Sequence, residues 1–254
     1  MRVFKYIGII SLLIFSFYLT DGVTNLAINS NLLMQTIKEN KNKYLIESVN
    51  ATIESNTIIP GIKGKKVNEL DSYLNMKDFG SFNTNYLIYD YYYPDITLNN
   101  NKDKIIISGN KSIRQVSFLI KNNKGILDYF KKNNLVYSKL IKLNEEFDIE
   151  NINIENYSNK FNDLNTILNK NNLNKKICIL GYSNIKLCKD LKYFIVKPSI
   201  ELNNKNIINI LNQINNGDII LIDDNLSVDN IKLVVKKINS LDIKIVYLSK
   251  IIEE

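Results

Sequence analysis

The chain of 254 residues contains no histidine, and this absence restricts its chemistry more than any other feature of its composition. Histidine is the usual general base near neutral pH and the commonest metal ligand in proteins. Catalysis by Ser-His-Asp or Cys-His groups is therefore excluded, and a zinc site would need carboxylates and cysteines alone. Most mechanisms of hydrolysis are difficult to build from the side chains that remain.

Arginine is nearly absent as well, so the positive charge comes almost entirely from scattered lysines. Lysine and arginine total 33 against 26 acidic residues, for a net charge of +7. Because no dense basic block occurs, nucleic-acid binding is disfavoured, and we expect weak attraction to anionic wall polymers or lipid headgroups. The hydrophobic fraction of 45% predicts a folded globular chain, with length for one good-sized domain and a smaller module.

A long apolar run occurs at the N-terminus. Arg2 and Lys5 precede an uncharged stretch from Tyr6 to Leu19, which ends before Asp21. A positive flank and a short hydrophobic core are typical of a signal peptide, and the run is shorter than the roughly 20 residues of a transmembrane helix. No good cleavage site follows, so residues 1–22 are either a cleaved signal peptide or an uncleaved signal-anchor. Both predict an extracytoplasmic protein; the third alternative is a buried N-terminal core helix.

The last forty residues carry the clearest fold signal. Ile219 to Ile222 predict a strand buried on both faces, followed by Asp223 and Asp224. Ser227 then begins an amphipathic helix, and Ile243 to Leu248 predict the next buried strand. A strand, helix and strand of this length predict a parallel βαβ unit, in which functional residues lie at the carboxyl ends of the strands.

From Gly109 onward, strand and helix patterns alternate regularly. We predict helices between seven strands, at residues 114–120, 135–141, 147–154, 177–180, 193–196, 219–222 and 243–248. This alternation predicts a closed or nearly closed α/β barrel over residues 111–254, preceded by a small α+β module over residues 23–110. In that module the tyrosine-rich segment Tyr86 to Tyr93 indicates either an aromatic strand or a set of rings that stack on sugars.

The C-terminal segment also resembles a known family. GDIILIDD, a helix and then IKIVYLSKIIEE are similar to the end of polysaccharide deacetylase (NodB-homology) domains, which typically read G-S-I-I-L-x-H-D, a helix and G-Y-K-F-V-T-L-S-E-L. The resemblance covers roughly Gly109 to the end. It implies a distorted (β/α)7 barrel and the hydrolysis of acetylated cell-envelope glycans. Ser72 to Asn83 resemble a small module that precedes this domain in some relatives.

This chain departs from the family at each position that carries its chemistry. Active members have T-F-D-D-G-P after the first strand, where one aspartate is the base and the next holds a metal with two histidines. Lys121 and Asn122 stand at those two positions, and the histidines of H-x-x-x-H correspond to Ile152 and Asn156. The late histidine, which donates a proton to the leaving amine, is replaced by Asp223.

The groove motif R-P-P-Y-G is replaced too, by Leu180 to Asn184, which contain no arginine. Lys121 would repel a cation, and metal-assisted hydrolysis needs an ion to activate water. The resemblance therefore implies a pseudoenzyme without metal or other cofactor, whose candidate groove residues are Asn122, Tyr182, Asp223 and Asp224. Its expected partner is a cell-envelope glycan or an envelope protein, and its N-terminal segment would contact the membrane.

Two rival hypotheses remain. The first is an active amidohydrolase with a site rebuilt around Asp223 and Asp224, because paired carboxylates can bind a cation or act as acid and base. A simpler interpretation of this pair is that both cap the helix beginning near Ser227. The second rival is a structural adaptor of the cell envelope.

Cys178 and Cys188 are the two cysteines of the chain. In an exported protein we expect them to form a disulfide, which would close a loop of about ten residues. The alternative is a pair of buried thiols.

Overall fold

The computed structural model describes residues 10, 15–16, 20, 22–121, 123–141, 152–156, 177–183 and 185–254, with the backbone alone at residues 141, 152–156 and 187. Its strands are β1 (Thr52–Glu54), β2 (Thr57–Ile59), β3 (Gly64–Val67), β4 (Tyr89–Tyr92), β5 (Ile105–Ile106), β6 (Gln115–Ile120), β7 (Tyr137–Ile141), β8 (Ile152–Asn156), β9 (Ile177–Ile179), β10 (Phe194–Val196), β11 (Ile200–Leu202), β12 (Ile219–Ile222) and β13 (Lys244–Ile245). The helices are α1 (Leu32–Asn40), α2 (Glu69–Met76), α3 (Lys124–Lys132), α4 (Ile185–Asp190), α5 (Ile207–Leu211), α6 (Val228–Ser240) and α7 (Leu248–Ile251).

The chain divides into two compact units. The first comprises Met1–Ser48 and Lys63–Tyr92, and the second comprises Val49–Ile62 and Tyr93–Glu254. This division differs from the predicted boundary at residue 110. The reason is that β1, β2 and β5 precede residue 110 in sequence but belong to the sheet of the second unit.

The first unit contains α1, α2 and the antiparallel pair β3–β4. Asn68 caps α2, since its side chain accepts a hydrogen bond from the backbone N–H of Asp71. A small core of apolar side chains holds these elements together; its buried members are Leu33, Ile37, Val67, Met76 and Leu87. The aromatic strand predicted near residues 86–93 is confirmed at Tyr89–Tyr92.

The second unit is built on a largely parallel sheet in the order β1-β2-β5-β10-β9-β8-β7-β6-β12-β11. The pairings from β2 to β11 are parallel, and β13 also pairs in parallel with β6. The strand predicted at 147–154 lies at 152–156, and the short strands β5 and β11 were not predicted. Among the described strands β1 and β11 end the hydrogen-bonded order, so closure into a seven-stranded barrel stays a prediction. The helix expected near residues 161–168 lies outside the described residues.

Both faces of the central strands are buried, as the continuous apolar runs predict. Val116, Phe118 and Ile120 of β6 belong to one core cluster, which includes the buried face of α6. Leu119 of the same strand belongs to a second cluster, together with Leu248 of α7. The apolar stripe predicted for α6 is thereby confirmed, with Ile231, Val234, Val235 and Ile238 all buried.

The predicted disulfide is confirmed. Cys178 of β9 and Cys188 of α4 are bonded, with their Cα atoms 6.4 Å apart. Both cysteines are fully buried beside Tyr193 and Ile195.

None of the helices in the described part of the chain combines the length and the apolar character that a membrane crossing requires. Most of the predicted signal or anchor segment, residues 1–22, lies outside that part.

Asp218 stands immediately before β12 and is partly buried. Its carboxylate accepts hydrogen bonds from the backbone N–H of Asn215 (2.7 Å) and the hydroxyl of Ser199 (2.9 Å). Burial nevertheless raises the pKa of Asp218, because desolvation of the carboxylate outweighs these two bonds and the attraction of Lys111.

We expect the stability of the wild type to fall relative to Asp218→Asn as the pH rises from the ordinary aspartate pKa to the raised value. In that window the unfolded chain has released the proton that the folded chain still holds, which favours unfolding. Urea denaturation of both proteins across this pH range measures the difference between their free energies of unfolding. The prediction concerns how that difference changes with pH, not its constant part. A difference that is flat or that changes in the opposite direction would contradict the prediction.

Two fully buried serines on neighbouring strands differ in their hydrogen bonding. Ser138 of β7 accepts a hydrogen bond from the backbone N–H of Leu248, at the start of α7 (3.0 Å). The hydroxyl of Ser117 in β6 has no hydrogen-bond partner among the described residues.

Ser138→Ala should lower the free energy of unfolding by about 1–3 kcal/mol, because it leaves a buried N–H without an acceptor. Ser117→Ala is the matched control, because it removes the same hydroxyl group from a serine that is equally buried. It should be neutral or slightly stabilising, since the lost hydroxyl pairs with nothing. Urea denaturation measures both variants, and an equal loss in the two would rule out the assigned role of Ser138.

Candidate functional site

The carboxyl edge of the sheet brings together two positions that the sequence singled out. Lys121 directly follows β6, and Tyr182 lies just beyond the end of β9. The Nζ atom of Lys121 lies 4.6 Å from the centre of the Tyr182 ring. An ammonium group at this distance is attracted by the negative face of the ring. The end of β6 thus carries a cation packed against an aromatic side chain.

The turn after β9 fixes the place of Tyr182. Gly181 has a φ of +89°, a conformation that glycine adopts at little cost. The backbone N–H groups of Tyr182 and Ser183 both donate to the carbonyl of Ile179, at 3.0 Å. The Ser183 hydroxyl in turn accepts from the N–H of Ile179 (3.1 Å). Since the disulfide also ties β9 to α4, the ring stands on a tightly held turn.

Asp223 lies beside Lys121 on the neighbouring strand. Ile120 of β6 is paired with Ile222 of β12, so the next residue of each strand lies about one strand spacing apart, roughly 5 Å. The backbone N–H of Asp223 donates to the carbonyl of Leu202, which continues the pairing with β11 (2.9 Å). Two residues of opposite charge therefore follow the ends of adjacent strands.

The aspartate pair does not cap α6, which corrects that interpretation of the sequence. The Asp223 carboxylate accepts a hydrogen bond from the N–H of Asn225 (2.8 Å) and so stabilises the turn before the helix. Ser227 caps α6, accepting from the N–H of Asn230 at 3.2 Å. Asp224 follows on the same turn and is exposed.

Asn123 connects two loops at this edge, and sequence reasoning missed it. Its Oδ1 caps α3 by accepting from the N–H of Ile126 (3.1 Å). Its Nδ2 donates to the carbonyls of Asp224 (2.8 Å) and Leu226 (3.0 Å). Its place before a helical pattern could have indicated the cap, but no local signal indicates bonds to residues 101 and 103 positions away.

Asn204 holds the same loop from the side of β11. Its Nδ2 donates to the carbonyl of Asn225 (2.7 Å), and its Oδ1 accepts from the N–H of Ser227 (3.0 Å). The same oxygen accepts from the side-chain amide of Asn230 (2.9 Å). Two asparagine side chains thus fix the backbone of the loop that carries Asp223 and Asp224.

The other predicted site residues are only partly described. Asn122 lies outside the described residues. Ile152 and Asn156 are the two ends of β8, where the backbone alone is described, and Asn156 is paired with Cys178 of β9. The structure therefore places Ile152 and Asn156 on one strand, β8, without testing what their side chains do.

The residues present do not fit the divalent cation that the family resemblance implies. Lys121 brings a positive charge to the end of β6. Within the described ranges no three cysteine, aspartate or glutamate side chains lie close enough together to hold a metal ion, and histidine is absent from the whole sequence.

Asn123→Ala should reduce the free energy of unfolding by about 1–2 kcal/mol, through loss of the α3 cap and of both bonds to the aspartate loop. Asn123→Asp is the matched control, because an aspartate keeps the cap but cannot donate to the two carbonyls. We expect an intermediate loss for Asn123→Asp in urea denaturation. If it proved as stable as the wild type, the bonds to the loop would contribute nothing.

Comparison with protein-family models gives no match, and comparison with curated proteins gives none either. Solved structures do match. The wild-type form of a CE4 family pseudoenzyme from Bacillus anthracis has a TM-score of 0.60 at 18% identity, covering 89% of this chain and 96% of its own. A mutant of that pseudoenzyme, with restored enzymatic activity, has a TM-score of 0.57 at 18% identity, covering 89% of this chain and 99% of its own.

At this level of identity the comparison establishes the fold. It confirms the resemblance seen in the C-terminal motif, and the solved structures that match include one described as a pseudoenzyme. The chain therefore has the α/β fold of this CE4 family pseudoenzyme.

Proposed function

We propose that the protein is a catalytically degenerate polysaccharide deacetylase-like protein that binds a cell-envelope glycan without hydrolysing it. The contact between Lys121 and Tyr182 is the observation that carries this proposal. An ammonium group at the end of β6 repels a divalent cation and cannot serve as a base while it is charged. The tyrosine beside it offers a flat, amphipathic surface of the kind that packs against sugars.

Glycan binding at this edge would use five residues with different tasks. The Tyr182 ring stacks on the apolar face of a sugar, and its tightly held turn keeps the entropic cost of binding low. Lys121 and Asp223 provide a donor and an acceptor for hydroxyl or acetamido groups. Asn122 and Asp224, which follow them in sequence, extend the groove.

We also propose that the protein works outside the cytoplasm. The disulfide between Cys178 and Cys188 supports this location, because such bonds persist in oxidising compartments. The apolar run of residues 6–19 is proposed to direct export, and to hold the chain at the membrane if it is not cleaved.

Tyr182→Leu should weaken binding of a soluble N-acetylglucosamine oligomer about three- to tenfold, because leucine keeps an apolar side chain but removes the flat face. Tyr182→Phe is the matched control, since it retains the ring and should retain most of the affinity. Isothermal titration calorimetry measures both. Equal affinities of the wild type and Tyr182→Leu would refute binding through this ring.

An acetate-release assay with the same oligomer separates the proposal from the rival enzyme hypothesis. We expect the wild type to release no acetate above the buffer rate. Release that is lost in the double variant Asp223→Ala, Asp224→Ala would establish a rebuilt amidohydrolase site and overturn the proposal.

A further inference from the structure

The β3–β4 pair of the first unit carries lysines and tyrosines on one face. Lys65 is paired with Tyr91, and Val67 is paired with Tyr89. Because alternate residues of a strand share a face, Lys65, Tyr89 and Tyr91 point to the same side. Lys63, two residues before Lys65, contacts the ring of Tyr91 from that side. We call Lys63, Lys65, Tyr89 and Tyr91 the lysine–tyrosine row.

Each lysine of the row packs on a tyrosine diagonally across the strand pair. The Nζ atom of Lys65 lies 4.4 Å from the centre of the Tyr89 ring, and that of Lys63 lies 4.9 Å from the Tyr91 ring. Tyr91 is 57% exposed. Within the described part of the chain the side-chain ammonium group of neither lysine has an ion pair or a hydrogen bond in addition to its ring contact. The row therefore presents two positive charges without acidic partners beside the exposed ring of Tyr91, whereas Tyr89 packs partly against the small core of the first unit.

The opposite face of the same strand pair has a different character. Lys66 stands directly across from Asp90, so its charge faces a carboxylate. Asp90 also accepts a hydrogen bond from the side-chain amide of Asn68 (3.1 Å). Charge is balanced on that face and unbalanced on the row, which is the arrangement expected if the row meets a negative partner.

The phenol of Tyr89 is a hydrogen-bond donor at neutral pH. Burial raises the pKa of Tyr89, and the neighbouring phenols of Tyr44 and Tyr91 raise it further. Tyr89 therefore stays protonated well above neutral pH and can donate its O–H to a sugar hydroxyl or carboxylate.

We propose that the lysine–tyrosine row binds an acidic polysaccharide. A sugar ring can pack on the exposed Tyr91, and the phenol of the half-buried Tyr89, about 7 Å away along the strand, can donate to the neighbouring sugar. Lys63 and Lys65 lie beside those rings, where the ammonium groups meet the carboxylates of the polymer. The net charge of +7 attracts such a polymer at long range. This surface belongs to the first unit and recognises negative charge, so the inference does not depend on glycan binding near Tyr182.

Titration of the full chain with three polymers tests the inference. Polygalacturonate offers rings and charge, dextran offers rings without charge, and polyphosphate offers charge without rings. We expect polygalacturonate to bind at least about tenfold more tightly than either of the others, with an affinity that falls as salt is added. Equal binding of polyphosphate would show simple charge attraction, and equal binding of dextran would show stacking alone; either result overturns the proposal, as does no binding of polygalacturonate.

Variants locate the binding on the row. Tyr91→Leu and Lys63→Gln should each weaken polygalacturonate binding about three- to tenfold. Tyr91→Phe should retain most of the wild-type affinity, because phenylalanine keeps the aromatic ring. Lys66→Gln removes the same charge from the opposite face and should leave the affinity unchanged. An effect of Lys66→Gln equal to that of Lys63→Gln would overturn the assignment.

Two controls separate this result from other causes. Thermal unfolding of each variant shows whether a loss of affinity comes from a loss of folding, and Tyr91→Phe keeps the test decisive if Tyr91→Leu is unstable. Tyr182→Leu tests the alternative that polygalacturonate binds at the candidate site of the second unit. If Tyr182→Leu abolished that binding while Tyr91→Leu did not, the acidic polymer would bind near Tyr182 and the row would have no part in it.

Discussion

The position of β6 constrains the rest of the second unit. All six of its residues are buried, and both of its edges are paired. β12 pairs along one edge, while β13 pairs with the first part of the other edge and β7 with the last part. Every one of these pairings is parallel, so their carboxyl ends share one edge of the sheet, and Lys121 stands where β6 reaches it. The candidate site follows from this pairing and from the turn that positions Tyr182.

The forces that build this edge do not depend on the groups that perform chemistry in the family. Apolar packing on both faces of β6 and β12 fixes the strands. Asn123 and Asn204 hold the aspartate loop through hydrogen bonds to its backbone. These bonds do not involve the side chains of Asp223 and Asp224. A sheet held in this way keeps its shape when catalytic positions change, which explains how a chain without histidine has the fold of a hydrolase family.

Sequence reasoning succeeded where the signal is local. The apolar run Ile219–Ile222 and the stripe of α6 follow directly from hydrophobic periodicity, and the disulfide follows from two cysteines on adjacent elements. It missed β5 and β11, because two or three residues are too few for a periodic pattern. The predicted domain boundary at residue 110 also differs from the observed division. Residues 49–62 belong to the second unit because of their long-range strand partners, which a local sequence pattern does not reveal.

The site was predictable only in part. The motif positions Lys121, Tyr182 and Asp223 were identified from sequence, and the structure places the first two in contact and the third on the adjacent strand. The contact itself was not predictable, because it depends on a positive φ at Gly181 and on the order of strands in the sheet. The hydrogen bonds from the asparagine side chains to the aspartate loop were not predictable either. Asparagine is abundant in this sequence, and the bonded residues lie far away along the chain.

The proposed function requires that this protein bind no divalent metal ion at the carboxyl edge of its sheet. Zinc titration of the purified full chain, followed by calorimetry and by metal analysis after dialysis, tests that claim most directly. We expect no saturable binding and no retained zinc. One tightly held zinc ion per chain, lost when Asp223 and Asp224 are replaced by alanine, would contradict it.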